Sequence, residues 1–265
     1  DVLGSRGLGD VYKRQFQDCT SITQIVVPAI SGTTFAHCVP TKLFSNCSKL
    51  EKVKFADNSL KEIKDSAFEG TGELTFTTET VYGKALPASV GYIGTSAFDN
   101  SSIKSIDLSG NKLTEISNST FAKADLSEGI KLPEGLLKIG SGAFNSSKLK
   151  GIVMPNSVTE IGTDCFRDAR ALLDVVLSKN LKVIPSGAFQ SAGFGGTVTS
   201  DNGVIWEGTG DLNNHIQISY NGVTAAESML EEIGDAAFNC SSVNDCAFLS
   251  DLKRLKKIGT KAFAF

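Results

Sequence analysis

One ten-residue pattern recurs eight times in this chain, and a chain built that way is restricted to architectures in which a small unit stacks on copies of itself. The pattern has an aliphatic residue at position 2, Ile at position 5 and Phe at position 10. Its copies are SLKEIKDSAF ending at Phe68, SVGYIGTSAF at Phe98, KLTEISNSTF at Phe121, GLLKIGSGAF at Phe144, SVTEIGTDCF at Phe166, NLKVIPSGAF at Phe189, MLEEIGDAAF at Phe238 and RLKKIGTKAF at Phe263. Partial copies end at Phe16 and Phe44. From Phe68 to Phe189 the spacings are 30, 23, 23, 22 and 23 residues, followed by 49 to Phe238 and 25 to Phe263. An interval of 49 is about two periods, which predicts one degenerate or interrupted repeat between Phe189 and Phe238.

A second signature, aliphatic-x-x-aliphatic-x-apolar, follows the Phe in KLEKVKF (49–55), SIKSIDL (102–108), KLKGIVM (148–154) and ALLDVVL (171–177). Its last two apolar positions are two apart, so Ile152 and Met154 are expected on one face of a strand, with Val153 and Pro155 on the other. Pro follows directly in Val27-Pro28, Leu132-Pro133 and Met154-Pro155, where the missing N–H suits a strand exit. Each period therefore reads as a strand, a turn, a second short extended segment and a compact turn. Such a unit has too little apolar surface for a core of its own, so copies must stack and bury Ile, Leu and Phe in continuous ladders. The expected product is a solenoid. Ten or eleven rungs at ~4.8 Å would extend it ~45–50 Å.

The segment LPEGLLKIGSGAFNSSKLKGIVMPNSVTEIGTDCF (132–166) resembles the BspA-like leucine-rich repeats, whose motif P-x-x-V-x-x-I-G-x-x-A-F is followed by a small polar turn and L-x-x-I. The resemblance covers roughly residues 16–265. It implies a leucine-rich-repeat solenoid, mainly β with short helical turns, wound as a curved right-handed superhelix of about 23-residue repeats. Many members of that class are exported surface proteins implicated in adhesion, so it also implies an extracellular or cell-surface location. Three departures stand out: residues 69–97 make one repeat longer, ADLSEGIKL (124–132) carries one extra residue, and 190–228 match poorly.

Composition narrows the function classes. The 265 residues are 41% hydrophobic and 21% charged, and 26 basic against 29 acidic residues leave a formal net charge of −3. That balance offers no electrostatic footprint for nucleic acid, and the longest apolar runs fall far short of the ~20 residues a membrane span needs. His37 and His215 are the only histidines, so most His-based catalytic and metal designs lack parts. No C-x-x-C pair or zinc spacing occurs, and the glycine clusters at 4–9 and 193–196 spell neither a P-loop nor a dinucleotide fingerprint. No catalytic residue, metal or cofactor is expected, and the chain reads as non-enzymatic.

The remaining reactive groups fall on repeat positions. Cys19 and Cys47 lie three residues after a motif Phe, Cys240 two after, Cys165 replaces the motif Ala and Cys246 a strand aliphatic; the expectation is buried reduced thiols, with a Cys19–Cys47 bridge the alternative in an oxidising compartment. His37 adjoins Cys38, an adjacency that does not by itself make a nucleophilic pair. Glu231-Glu232 and the run Lys253, Arg254, Lys256, Lys257 and Lys261 occupy variable positions and read as solvated surface. Sequons at Asn46, Asn100, Asn145 and Asn239 sit one or two residues after a motif Phe, where Asn favours a turn; a further one is at Asn118.

The domain reading has two parts. Residues 1–15 form a non-repeat tail, either adapter-derived read-through or a frayed start, and 16–265 form the solenoid, with an insertion or degenerate repeat at about 190–228. Asn202-Gly203 between VTS and VIW signals a hairpin inside that insertion. Trp206 either packs the insertion onto the solenoid, the favoured reading, or anchors a partner. Asp201, Asn202, Asp211, Asn213 and Asn214 do not follow a known calcium-loop spacing. The chain ends inside a repeat unit, which reads as a piece of a longer protein.

The leading functional expectation is a cell-surface or secreted binding or adhesion module that offers a curved repeat surface to a protein or glycan. By the period-two rule its outward strand positions include Lys52, Lys54, Ser105, Asp107, Lys131, Val153, Asp174 and Val176. The alternative is an intracellular scaffold or spacer in a larger multidomain protein. The expected structural ladder is Phe68, Phe98, Phe121, Phe144, Phe166, Phe189, Phe238 and Phe263.

Overall fold

The computed structural model describes residues 16–27, 37–55, 59–77, 82–193, 198–199, 205–206, 216–243, 247–250 and 252–264. Strands of three or four residues alternate with strands of two. They run β1 (Gln24–Val27), β2 (Cys38–Val39), β3 (Lys52–Phe55), β4 (Glu62–Ile63), β5 (Thr75–Thr77), β6 (Tyr92–Ile93), β7 (Ser105–Asp107), β8 (Glu115–Ile116), β9 (Gly129–Lys131), β10 (Lys138–Ile139), β11 (Gly151–Val153), β12 (Glu160–Ile161), β13 (Asp174–Leu177) and β14 (Val183–Ile184). Beyond Phe189 come β15 (Val198–Thr199), β16 (Ile205–Trp206), β17 (Gln217–Tyr220), β18 (Glu232–Ile233) and β19 (Lys257–Ile258). Long strands pair in parallel with long, and short with short, from one rung to the next, as in Val53 beside Phe76 and Ile139 beside Ile161. The only helix among the described residues is two short 3-10 turns. The fold is a β-solenoid.

Between the long-strand ladder and the short-strand ladder lies the core. The rings of Phe16, Phe44, Phe68, Phe98, Phe121, Phe144, Phe166, Phe189, Phe238 and Phe263 stand in single file at centroid steps of 5.1 to 5.7 Å, with interplanar angles of 20° or less. All those from Phe44 to Phe238 are fully buried, while the terminal Phe16 and Phe263 are half-buried. The same residues link the backbone. The N–H of each Phe from Phe44 to Phe238 donates to the carbonyl of the small residue preceding the next Phe, at 2.7 to 3.0 Å. Position 9 of the motif is therefore Ala, Thr or Cys because it must lie flat against the neighbouring rung: Ala97, Ala143 and Cys165 are all fully buried.

The compact turn carries a left-handed residue on each side of the Phe. Two residues before it stand Ser66, Ser96, Ser119, Gly142, Asp164 and Gly187, and two after it Asn46, Gly70, Asn100, Ser146 and Asp168, all at φ between 53° and 64°. Short polar side chains and glycine tolerate that region best and dominate it, although Lys42, Lys123, Ala236 and Lys261 hold equivalent positions at φ between 52° and 58°. Cys240 occupies the same position at φ 52° and is only half-buried, as is Cys19. The expectation that all the cysteines lie in the core thus fails for Cys19, Cys38 and Cys240 and holds for Cys47 and Cys165.

Motif position 6 is glycine where the backbones of adjacent rungs close up. A Cβ on Gly162 would lie 2.3 Å from the Ser141 nitrogen, and one on Gly140 2.7 Å from that of Asn118. The amides of Gly140 and Gly162 donate to Ile116 and Ile139 at 2.7 Å, carrying the short-strand ladder onward. That ladder is interrupted between β6 and β8 and between β12 and β14. Both breaks coincide with a departure from glycine: Pro185 has no N–H to donate, and at Ser117 the hydroxyl takes the Ile93 carbonyl at 2.6 Å.

One expectation needs correction here, and the two readings of the 49-residue interval separate. Phe189 stacks directly on Phe238 at 5.1 Å, and β14 pairs with β18, so the 49-residue interval contains an insertion within one rung and no degenerate rung. The insertion leaves and returns at one place, since Gly193 lies against Ile216 and β17 continues the ladder from β13. Within it β15 and β16 pair antiparallel, as the Asn202-Gly203 signal implies, although residues 200–204 and the side chain of Trp206 lie outside the described residues. Pro155 is buried beside Met154 instead of sharing the outward face of Val153, because β11 ends at Val153 and the alternation ends with it. Residues 1–15, Cys246, His215 and the Asp201, Asn202, Asp211, Asn213 and Asn214 group also lie outside the described residues.

Three substitutions test this packing. Phe144→Ala removes a ring held between two others and should lower the unfolding free energy by about 3–5 kcal/mol, whereas Lys138→Ala, on a half-buried variable position outside the core, should cost under about 0.5 kcal/mol. Chemical denaturation reads both, and equal losses would contradict the ladder. Gly162→Ala should destabilise by more than about 1 kcal/mol, because the added methyl meets neighbouring backbone that has no flexible end to move.

Candidate binding surface

The outward residues of the long strands fall into two columns, set by register within β7 and β9 and again within β11, β13 and β17. One reads Ser105, Gly129, Gly151, Asp174 and Gln217; the other reads Asp107, Lys131, Val153, Val176 and Ser219. None of the candidate strand residues points into the core. Lys52, Lys131, Val153 and Asp174 are exposed, and Lys54, Ser105, Asp107 and Val176 are half-buried. Lys52 and Lys54 sit on β3, away from the others, with the Lys52 ammonium 5.8 Å from the centre of the Tyr82 ring. The other six come together. They line a groove of about 420 Å³ that runs across β7, β9, β11 and β13.

The groove exists because the repeat is imperfect there. The extra residue in 124–132 is absorbed at Gly129, whose φ of +101° is open mainly to glycine, and β9 and β11 belong to separate sheets. Gly129 and Gly151 both line the groove, and Asp174 packs against Gly151 while Gly129 leaves its part of the floor bare. A Cβ on Gly129 would meet nothing within 4 Å, so that space stays open. At one end the longer repeat of residues 69–97 folds back, with Phe76 and Gly83 exchanging backbone hydrogen bonds at 2.9 Å and Ala85 bridging Asp107. This fold-back delivers Lys84 to the groove. Lys84, Glu128 and the two glycines were not among the residues singled out from sequence, although a glycine inside a strand pattern is itself a sign of a bulge or a close approach.

Charges of both signs meet in the groove. The Lys131 ammonium donates to Asp107 Oδ2 at 3.0 Å, and Asp107 Oδ1 accepts from the Ser109 hydroxyl at 2.6 Å and its amide at 3.0 Å. The Ser109 hydroxyl and then Lys131 hold the Asp107 carboxyl below the usual carboxylate range. Glu73 lies 2.8 Å from Lys104 and 3.3 Å from Lys84, and Lys104 chiefly lowers its carboxyl in the same way. Glu128 accepts from the Ser105 hydroxyl at 3.4 Å. Asp174 makes no ion pair among the described residues.

Elsewhere the reactive groups serve the stack. Cys47 Sγ donates to the Phe16 carbonyl at 2.8 Å, and burial pushes its thiol up to about 11; burial raises Cys165 further. His37 Nδ1 donates to the Ser59 carbonyl at 3.0 Å, which ties the ring to backbone. Lys256 and Lys257 reach back one rung to Glu231 and Glu232 at 2.8 and 2.5 Å. Among the described residues no three His, Cys, Asp or Glu side chains are placed to hold a metal ion, and no helix is long and apolar enough to cross a membrane.

The depressed Asp107 pKa gives a test with a definite sign. Its contribution to stability is present above the ordinary value of about 3.9 and is lost as pH falls through the lower folded value. In a 13C titration of the carboxyl the midpoint should fall below that of an unperturbed Asp, and Ser109→Ala should move it upward. An unchanged midpoint in the variant would remove Ser109 as the main cause.

Known proteins resemble this arrangement. The model for the BspA type leucine rich repeat region matches residues 5–82, 75–195 and 215–265, with six copies. A leucine rich cell surface protein from Faecalibacterium prausnitzii A2-165 has a similar structure at a TM-score of 0.51 and 20% identity, over 95% of this chain and 60% of that one. A leucine rich repeat protein of T. pallidum aligns over 87% of this chain and 79% of its own length, at 23% identity and a TM-score of 0.40. The chain thus spans less than two thirds of the Faecalibacterium protein. No curated protein is significantly similar in sequence.

Proposed function

Because the chain belongs to the BspA-type leucine-rich repeat family, we propose that it is a non-enzymatic binding module of a secreted or cell-surface protein and that its β7–β13 groove receives the partner. The observation that carries this reading is convergence. Six outward residues from four rungs line one groove, and that groove sits where the repeat departs from regularity. Stacked repeats expose broad surfaces whose variable positions are free of packing duty, and a local departure makes a shaped site on such a surface. The cell-surface description of the Faecalibacterium protein supports the location.

A protein partner fits better than a glycan. The residues that line the groove include no aromatic side chain to stack on a sugar ring; they are aliphatic, glycine or charged, with Ser105 the one hydroxyl. Its polar groups are largely engaged with one another, as Asp107 is with Lys131 and Ser109, which suits recognition and leaves no positioned nucleophile and base.

The test is a binding screen of the purified chain against arrays of secreted and surface proteins and of glycans, followed by interferometry on the hits. Val153→Asp combined with Val176→Asp places charge on the groove wall without touching the core. It should weaken a true partner at least about tenfold, or about 1.4 kcal/mol. Hits that bind the double variant as tightly as the parent chain would overturn the groove as the site, and hits confined to glycans would overturn the protein partner.

A further inference from the structure

We propose that the groove, on the reading that it is a partner site, takes an arginine side chain presented by a protein partner, with the guanidinium between Glu128 and Asp174. The inference begins with charge accounting inside the groove. Five charged side chains line it: Lys84, Asp107, Glu128, Lys131 and Asp174. Lys84 is engaged by Glu73 at 3.3 Å and Lys131 by Asp107 at 3.0 Å. Glu128 and Asp174 form no ion pair among the described residues, Lys104 acting on Glu128 only from beyond ion-pair distance, so both carboxylates stay open to a basic group brought by a partner.

The floor between these two carboxylates selects the shape of that group. The space above the Gly129 peptide is open, and beside it Gly151 carries the Asp174 side chain, 3.3 Å from where a Cβ would stand. A flat guanidinium can lie on peptide planes and direct separate N–H donors to carboxylates on either side, which a compact ammonium cannot do equally well. Val153, 57% exposed, and Val176 border the trough and offer apolar cover for the methylene stem. The site therefore combines a wall for the stem, a floor for the plane and two acceptors for the charge.

The amides of Gly129 and Gly151 report on occupancy directly. The probes are N-acetyl-arginine methylamide and its lysine and glutamate counterparts, titrated into the full 15N-labelled chain. The arginine probe should shift both glycine amides saturably, with a dissociation constant on the order of millimolar, and the lysine probe should bind at least about fivefold more weakly. Rising salt should weaken the binding. Glu128→Gln with Asp174→Asn, two exposed and nearly isosteric changes, should abolish the shifts while the remaining spectrum stays in place. Shifts that persist in that variant, or that never appear at the two glycines, overturn the inference; equal binding of lysine overturns the role of the planar floor.

This outcome separates from that of the broader reading. A protein partner that is lost by Val153→Asp with Val176→Asp but kept by Glu128→Gln with Asp174→Asn leaves the groove as the site and removes arginine as its occupant. A partner indifferent to both variants removes the groove itself.

Discussion

Each rung of this solenoid is held by a residue that acts twice. The motif Phe stacks its ring on the next ring and donates its amide to the small residue beside it, so side-chain and backbone order share one spacing. A single buried ring contributes about 1.5–3 kcal/mol, and its stacking about 0.5–1.5 kcal/mol more. Neither term is available to an isolated rung, because the ring is covered only by its neighbours. Left-handed turn residues, close-packed glycines and small position-9 side chains all follow from the need to bring successive Phe residues to within 5.1 to 5.7 Å.

The same economy leaves the outward strand positions unconstrained, and it is there that the chain acquires individuality. Where the repeat is regular the outer face is a plain array of paired charges, such as Lys138 between Glu115 and Glu160 at 3.9 and 3.3 Å. Exposed pairs of this kind contribute little to stability. Where one residue is added at Gly129, and a longer loop folds back through Lys84, the face becomes a shaped groove. Shape arises from irregularity, supported by a core that tolerates it.

Most of the architecture could be read from residue types because one physical demand repeats along the chain. The spacing of Phe68, Phe98 and Phe121 marks the stack, and KLKGIVM marks the strand whose Ile152 and Met154 point inward. What could not be read was anything set by continuity through space. Counting residues between Phe189 and Phe238 suggests an extra rung, whereas ladder pairing shows that one rung simply carries a long excursion. Outward placement of Lys131 and Val153 follows from alternation, but their convergence with Asp107 and Asp174 depends on register between strands 20 or so residues apart, which a single sequence does not specify. Glu128 escaped notice for the same reason: its position becomes informative only beside a glycine floor.

The interruptions at Ser117 and Pro185 carry a consequence for how the molecule yields. They divide the short-strand ladder into blocks of three strands; at Pro185 the sheet β11-β13-β17 still spans the seam, whereas at Ser117 β5 and β7 also fall in separate sheets and the rungs are joined chiefly through the Phe file and the turn hydrogen bonds beside it. Local opening of a repeat array proceeds in cooperative units, and here the units have boundaries written into them. Under pulling along the axis or partial heating, whole blocks would part at these seams instead of single rungs peeling from an end, so the chain would extend in a few large steps. A tether made this way is stiff at low load and lengthens abruptly beyond it.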